Sequence, residues 1–211
     1  MWKSPSPLKS GYMFTGIIKS LGQVENVKSE GTNKVFTIKA PFEEAIHVDQ
    51  SISHNGVCLT VTDIEQQNDL EFTYSVTAVD ETLKKTHLNQ WETGTKVNIE
   101  LCMQMGARLD GHFVQGHVDT VGIVTSVEEV EGSWMYEFRF DPQHQHLLVD
   151  KGSVTINGVS LTVVDAREDR FSVTIIPYTY AHTNFHQLQV GDQVNLEFDV
   201  LGKYIAKMMK R

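Results

Sequence analysis

Two side chains in this sequence combine a reactive type with a suggestive position. Cys58 stands just past Asn55-Gly56, with Ser51, His54 and Thr60 nearby, and His117 closes the run Gly111-His112-Phe113-Val114-Gln115-Gly116-His117. A thiolate is the nucleophilic form of cysteine, and an imidazole titrating near neutral pH can take a proton and return it. A free cysteine also packs well as a small hydrophobe, so its position decides between the two readings. Asn-Gly among β-branched residues marks a tight turn, because both residues tolerate positive φ. Cys102 is the only other cysteine and there is no Cys-x-x-Cys pair, so neither a disulfide framework nor a zinc knuckle is expected.

Metal chemistry finds little support. His112 and His117 are five apart, which suits neither one helix face nor one strand face. His182-x-x-x-His186 and His144-x-His146 have usable spacings, but no third ligand stands close by in sequence. A Gly-rich phosphate loop, a nucleophile elbow and a dinucleotide fingerprint are all missing, which sets aside kinases, common α/β hydrolases and nicotinamide dehydrogenases.

The elements that hold these groups are repeated. Asn55-Gly56-Val57-Cys58-Leu59-Thr60-Val61-Thr62-Asp63 returns 102 residues later as Asn157-Gly158-Val159-Ser160-Leu161-Thr162-Val163-Val164-Asp165. Gly94 to Leu101 returns as Gly191 to Phe198 at an offset of 97, as does Thr82-x-x-x-Thr86 in Thr179-x-x-x-Thr183. The five missing residues fall between Asp63 and Thr82, where Glu65 to Asp69 reads as a hairpin tip. Two copies of this size point to a duplicated small domain rather than a solenoid, with the boundary near Met103 to Asp110. The copies differ where chemistry matters: Cys58 faces Ser160 in the alignment, and Ile17 faces His117.

Each copy carries short β-branched segments between turn residues, among them Gly22–Val27, Lys34–Ile38, Leu59–Ile64 and Val97–Leu101. Such strands suggest a small closed barrel, since closure removes exposed edges. The expected fold is mainly β: two tandem closed β-barrels over residues 13–107 and 108–198, then a helix over 199–211. In that tail Val200, Leu201, Tyr204, Ile205, Met208 and Met209 form one apolar stripe behind a capping Asp199, to be buried on its own barrel or on copies of itself. Residues 1–12 have no hydrophobic pattern and are expected to be a disordered, dispensable extension.

Composition bounds the function. In 211 residues, 27 acidic against 18 basic side chains give a charge of −9, which opposes nucleic-acid binding. No apolar run approaches membrane-spanning length and no export signal is present, so a cytoplasmic protein is expected.

Taken together, Met13-Phe14-Thr15-Gly16-Ile17-Ile18, Ser51-x-x-His54-Asn55-Gly56-Val57-Cys58-Leu59-Thr60-Val61, Gly111 to Asp119 and Asn157 to Val163 resemble the riboflavin synthase family, from Met13 to the C-terminal helix. The resemblance implies Greek-key lumazine-binding barrels, a cytoplasmic homotrimer and a dismutation of two 6,7-dimethyl-8-ribityllumazine molecules. One gives a four-carbon unit to the other, yielding riboflavin and 5-amino-6-ribitylaminouracil without an external cofactor. It further implies lumazine synthase as a partner. Functional importance carries over to Ser51, Cys58 and His117, with the roles of base and nucleophile left open among them.

By position, the resemblance assigns one molecule to Gly16, Ile17, Ile18, Cys58, Leu59, Thr60 and the segment Thr77, Ala78, Val79, Asp80, Glu81, Thr82. The other falls to Gly116, His117, Val118, Lys151, Ser160, Leu161, Thr162 and the segment Ile175, Ile176, Pro177, Tyr178, Thr179, Tyr180. Tyr178 stands where the family commonly has a glutamate. The alternative reading is a non-catalytic lumazine- or flavin-binding accessory protein of the same fold; retention of Ser51, Cys58 and His117 favours the enzyme.

Overall fold

The computed structural model describes residues 13–66 and 70–209. The extension expected over residues 1–12, the centre of the hairpin tip and the terminal Lys210 and Arg211 lie outside the described residues. Six strands form the first barrel: β1 (Ser20–Glu30), β2 (Asn33–Pro41), β3 (Ser51–His54), β4 (Val57–Gln66), β5 (Glu71–Ala78) and β6 (Lys96–Leu101). Six more form the second: β7 (Thr120–Val130), β8 (Ser133–Arg139), β9 (Ser153–Ile156), β10 (Val159–Ala166), β11 (Arg170–Ile175) and β12 (Gln193–Phe198). Both sheets close, in the order β1-β2-β5-β4-β3-β6 and, read from β7, the matching order β7-β8-β11-β10-β9-β12. The two tandem barrels expected from the repeat are therefore present.

Alternation builds each interior. Phe36, Ile38 and Ala40 of β2 and Phe72, Tyr74, Val76 and Ala78 of β5 point inward and are buried, while their neighbours face out. Closing so small a ring needs sharp local bends, and these come from bulges at Val24/Asn26 and Val61/Asp63, repeated at Val124/Ser126 and Val163/Asp165. The length difference between the copies sits in the β4–β5 hairpin, where β4 is 10 residues long and β10 only 8. After β5 and β11 come the short helices α1 (Asp80–Lys85) and α2 (Pro177–His182). The Thr-x-x-x-Thr repeat ends both: Thr86 Oγ1 donates to Thr82 O and Thr183 Oγ1 to Thr179 O, each at 2.7 Å, and each hydroxyl then caps the next 3-10 turn.

The barrels meet about a pseudo-twofold axis made of the two Asn-Gly turns. Asn55 and Gly56 have φ of 46° and 77°, Asn157 and Gly158 46° and 81°, as a type I′ hairpin turn requires. A Cβ on either Gly56 or Gly158 would lie 2.8 Å from the other's backbone nitrogen, so the turns touch backbone to backbone. Asparagines fasten the contact: Asn98 Nδ2 donates to Asn157 O and Asn195 Nδ2 to Asn55 O, both at 2.9 Å.

One partner breaks the symmetry. Asn184 donates its N–H to Asn98 Oδ1, and in the mirrored place His87 donates to Asn195 Oδ1. Trp91 Nε1 donates to His87 Nδ1 at 3.3 Å, so the imidazole carries its proton on Nε2 and gives it to Asn157 Oδ1 at 3.1 Å. Burial holds His87 down to about 4, against the pull of Asn157 and Asp192. The unfolded chain thus takes up a proton between pH 6.5 and 4 that the folded one refuses, and stability falls as pH drops through that window, by roughly 3 kcal/mol for this group. His87→Asn, which copies Asn184, is expected to lose less melting temperature than the parent between pH 7 and 4.5. Equal losses would remove His87 from the account of acid lability.

The chain ends in α3 (Val200–Met209), with the Asp199 carboxylate accepting from Leu201 N at 2.9 Å as its cap. Its apolar stripe is not buried on its own barrel: Leu201, Tyr204, Ile205, Met208 and Met209 are 56–80% exposed. No helix among the described residues is long and apolar enough to cross a membrane.

Candidate active site

Strands β3 and β4 pair Ser51 with Thr60 and Ser53 with Cys58. Ile52 and Leu59 fill the barrel, so by alternation Ser51, Ser53, Cys58 and Thr60 lie on its outer face. His54 goes inward instead, bonded through Nε2 to Tyr74 OH at 2.8 Å and held down to about 3 by burial, so it takes no part beside Cys58. The outer face is met by residues 116–118: Cys58 donates its backbone N–H to Gly116 O at 2.9 Å. The mirrored contact joins Ser160 N to Gly16 O at 2.8 Å, and between them Phe14 and Val114 form a two-way bridge, both fully buried.

The pairing assigned by position is therefore crossed over. Gly116, His117 and Val118 of the second copy lie against the first barrel, and Val118 packs on its core. Gly16, Ile17 and Ile18 of the first copy lie against the second barrel, where Ile18 packs. Position in sequence suggested otherwise because each opening segment precedes its own barrel, whereas the segments exchange at the axis. The register Val61↔Val76 brings Thr77–Thr82 alongside Leu59 and Thr60, and Val163↔Val173 brings Ile175–Tyr180 alongside Leu161 and Thr162. One cluster thus holds Cys58, Leu59, Thr60 and Thr77–Thr82 with Gly116–Val118. The other holds Ser160, Leu161, Thr162 and Ile175–Tyr180 with Gly16–Ile18.

Close approach fixes the glycines. A Cβ on Gly116, at φ 78°, would lie 2.6 Å from Cys58 Cβ, and one on Gly16, at φ 76°, 2.6 Å from Ser160 Cβ. Both loops are held from below by buried carboxylates. Glu100 accepts from Thr15 N and Thr15 Oγ1, both at 2.7 Å, and from Gly16 N at 2.9 Å. Glu197 accepts from Gln115 N at 2.7 Å, Gly116 N at 3.0 Å and His117 N at 2.9 Å. Burial pushes Glu197 up to about 7, opposed by the Gln115 N–H and by Lys203. These glutamates escaped the sequence reading. Their signal was present, as the Asn-x-Glu shared by Val97-Asn98-Ile99-Glu100 and Val194-Asn195-Leu196-Glu197, a carboxylate kept in a buried strand.

The two clusters differ chemically. Cys58 is half-buried; burial raises its thiol, a hydrogen bond from the buried Ser51 lowers it, and the charge of Glu197 raises it again. It rests as a thiol at neutral pH and needs a base before it can attack. His117 is exposed one residue beyond the Cys58 contact. In the second cluster Ser160 Oγ meets His112 Nδ1 at 2.7 Å, and His112 Nε2 meets Thr155 Oγ1 at 3.1 Å. Burial lowers His112, with Asp199 working against it. Cys102 bonds Ser51 O and is pushed to about 11 by burial and by Cys58, which leaves it inert.

Of the remaining assigned residues, Ala78 and Ile175 alternate into the barrel interiors and are fully buried in the cores, away from any bound molecule, while others stand on open surface. Lys151 is exposed at φ 65°, as are Val79, Ile176 and Tyr178. Tyr178 stacks on His182 at 4.1 Å, and Tyr180 on Trp134 at 3.7 Å where the first copy has Leu83 and Lys34. Both clusters are thus uncovered on their outer side. His182 and His186 spend Nδ1 on Tyr178 O and Thr183 O, and among the described residues no three His, Cys, Asp or Glu gather as a metal site.

Comparison with known proteins places this arrangement. The lumazine binding domain family matches residues 15–102 and again 115–199. Riboflavin synthase of Bacillus subtilis (strain 168) is 40% identical over 200 residues, covering 94% of this chain and 91% of that protein. Riboflavin synthase of Actinobacillus pleuropneumoniae is 38% identical over 198 residues, 93% and 90% of the two chains. Among solved structures, LumP complexed with 6,7-dimethyl-8-(1'-D-ribityl) lumazine shares the fold, with a TM-score of 0.76 at 23% identity over 88% of this chain and 98% of that one. With two lumazine binding domains and this degree of identity along nearly its whole length, the chain belongs to the riboflavin synthase family of transferases.

Proposed function

We propose that this chain makes riboflavin from two molecules of 6,7-dimethyl-8-ribityllumazine. The observation that carries this reading is the pair of pseudo-symmetric clusters with unlike reactive groups: Cys58 and His117 in one, Ser160 and His112 in the other. A dismutation needs two sites for one substrate, and different surroundings so that one molecule donates and the other accepts. The four carbons lost by the donor are gained by the acceptor, so no outside oxidant or reductant is required. Loss of a proton from the C7 methyl group gives a delocalised carbanion, and His117 is the exposed base for it. Addition at C7 of the partner calls for a nucleophile, which Cys58, Ser51 or a water between them supplies. Backbone amides and hydroxyls at the strand ends suit the uracil-like edge, and the open segments Thr77–Thr82 and Ile175–Tyr180 its ribityl chain.

Incubating the protein with the lumazine is expected to produce the absorbance of riboflavin together with 5-amino-6-ribitylaminouracil, in equal amounts. Tight binding with unchanged lumazine would instead identify an accessory binder.

The same reading includes a cytoplasmic homotrimer, supplied with substrate by lumazine synthase. An apolar stripe on a helix of 10 residues requires a covering surface, and identical helices of neighbouring chains offer one. Truncation after Asp199 is expected to convert trimers to monomers in light scattering. A trimer surviving truncation would place the subunit contact elsewhere.

A further inference from the structure

The loop bearing Gly116 and His117 has a second anchor that its counterpart lacks. Asp119, two residues past His117, forms an ion pair with Lys203 of α3 at 2.5 Å, both side chains three-quarters buried or more. The same Asp119 oxygen accepts from Phe198 N at 2.9 Å. The backbone bond from Asp119 N to Leu196 O at 2.9 Å is shared with the first copy, where Lys19 N donates to Ile99 O at 3.2 Å, so the side-chain contacts are what the first copy lacks. With Glu197 gripping the amides of residues 115–117, the run from Gln115 to Asp119 is bound to β12 and to the first turns of α3. In the first copy Glu100 makes the matching grip, but Lys19, exposed, stands in the place of Asp119, and no helix follows β6. Both barrels close in the same strand order, so closure does not depend on the pair. What the pair adds is a mechanical link between the terminal helix and the loop that carries the exposed His117 imidazole.

We propose that Lys203 and Asp119 are positioning residues, through which α3 holds the Gly116–His117 loop against Cys58 and so ties turnover in that cluster to the seating of the helix. Lys203 touches no reacting atom. It acts through Asp119 on the path of the backbone, and a loop displaced by an ångström at a reacting group costs rate rather than affinity. The positional claim stands on the contacts alone; its effect on turnover rests on the riboflavin synthase reading.

The experiment uses the full chain with Lys203→Met, Asp119→Lys, which copies Lys19, and the exchanged pair Asp119→Lys with Lys203→Asp. Amide hydrogen exchange at Gly116, His117 and Val118 is expected to rise about tenfold in both single variants, with Gly16 and Ile17 unchanged. Turnover is expected to fall about tenfold with KM and oligomeric state held, and to recover at least half in the exchanged pair. Unchanged exchange at residues 116–118 overturns the positional claim, whether or not the protein makes riboflavin. Faster exchange with turnover unchanged, or turnover lost only together with assembly, overturns the link to catalysis. A parent protein that makes no riboflavin refutes the enzymatic reading and that link with it, while exchange still decides the positional claim.

Discussion

His117→Ala is expected to reduce riboflavin formation about 100-fold, within the range that loss of a general base produces, while the melting temperature moves by only a few degrees. The separation of the two effects follows from where the contacts lie. The imidazole is exposed, and the loop is held by its backbone, through the His117 amide on Glu197 and the Gly116 carbonyl on Cys58. Truncation therefore opens no cavity and orphans no buried donor. Cys58→Ser is expected to act similarly, since serine fits the same volume beside Ser51 but is a poorer nucleophile than a thiol. Single-turnover kinetics with thermal melts of the same samples check both. Turnover within threefold of the parent would make either residue a bystander, and a collapse in melting temperature would make it a packing residue.

A second large effect concerns mixtures. Had Cys58 and His117 belonged to different barrels, mixed oligomers of the two variants would regain activity. The crossed loops put both residues in one cluster of one chain, so co-refolded Cys58→Ser and His117→Ala are expected to stay near the level of either alone. Rescue is expected instead when His117→Ala is mixed with a chain damaged in the other cluster, such as Gly16→Val, whose branched side chain would collide with Ser160. If productive contacts join unlike clusters of neighbouring chains, equal amounts restore about a quarter of them, because each cluster is intact with even odds. That is roughly 25 times the residual His117→Ala rate taken from the general-base range. Mass spectrometry verifies mixing. Rescue between Cys58→Ser and His117→Ala would show that these residues serve different clusters.

Much of this architecture is legible in the sequence because its signals are local or repeated. The Asn-Gly turns, the Thr-x-x-x-Thr caps and the alternation of β2 and β5 each follow from neighbours a few residues apart. The duplication then multiplies the signal, down to the hairpin that absorbs the length difference. The exchange of Gly16 and Gly116 between barrels is not legible, since it depends on contacts such as Cys58 to Gly116 that span both copies and that either pairing would satisfy by residue type. The contacts of His112 and Glu197 are hidden for a related reason, although the repeated Asn-x-Glu marks the glutamate itself. Only the fold brings His112 onto Ser160, and a glutamate in a strand reads as solvent-facing until the loop amides that surround it are in place.

The crossing also carries a statement about ancestry. Each barrel's reactive edge is finished by the other copy's leading segment, as in a domain-swapped dimer whose two chains have been joined end to end. A single-copy forerunner could complete its edge only by pairing with another molecule, at a concentration set by the cell. Covalent fusion replaces that with a tethered partner, present at an effective concentration on the order of millimolar for a short linker. Once tethered, the halves no longer had to be identical, and they now differ at Cys58 and Ser160, at Ile17 and His117, and at Lys19 and Asp119.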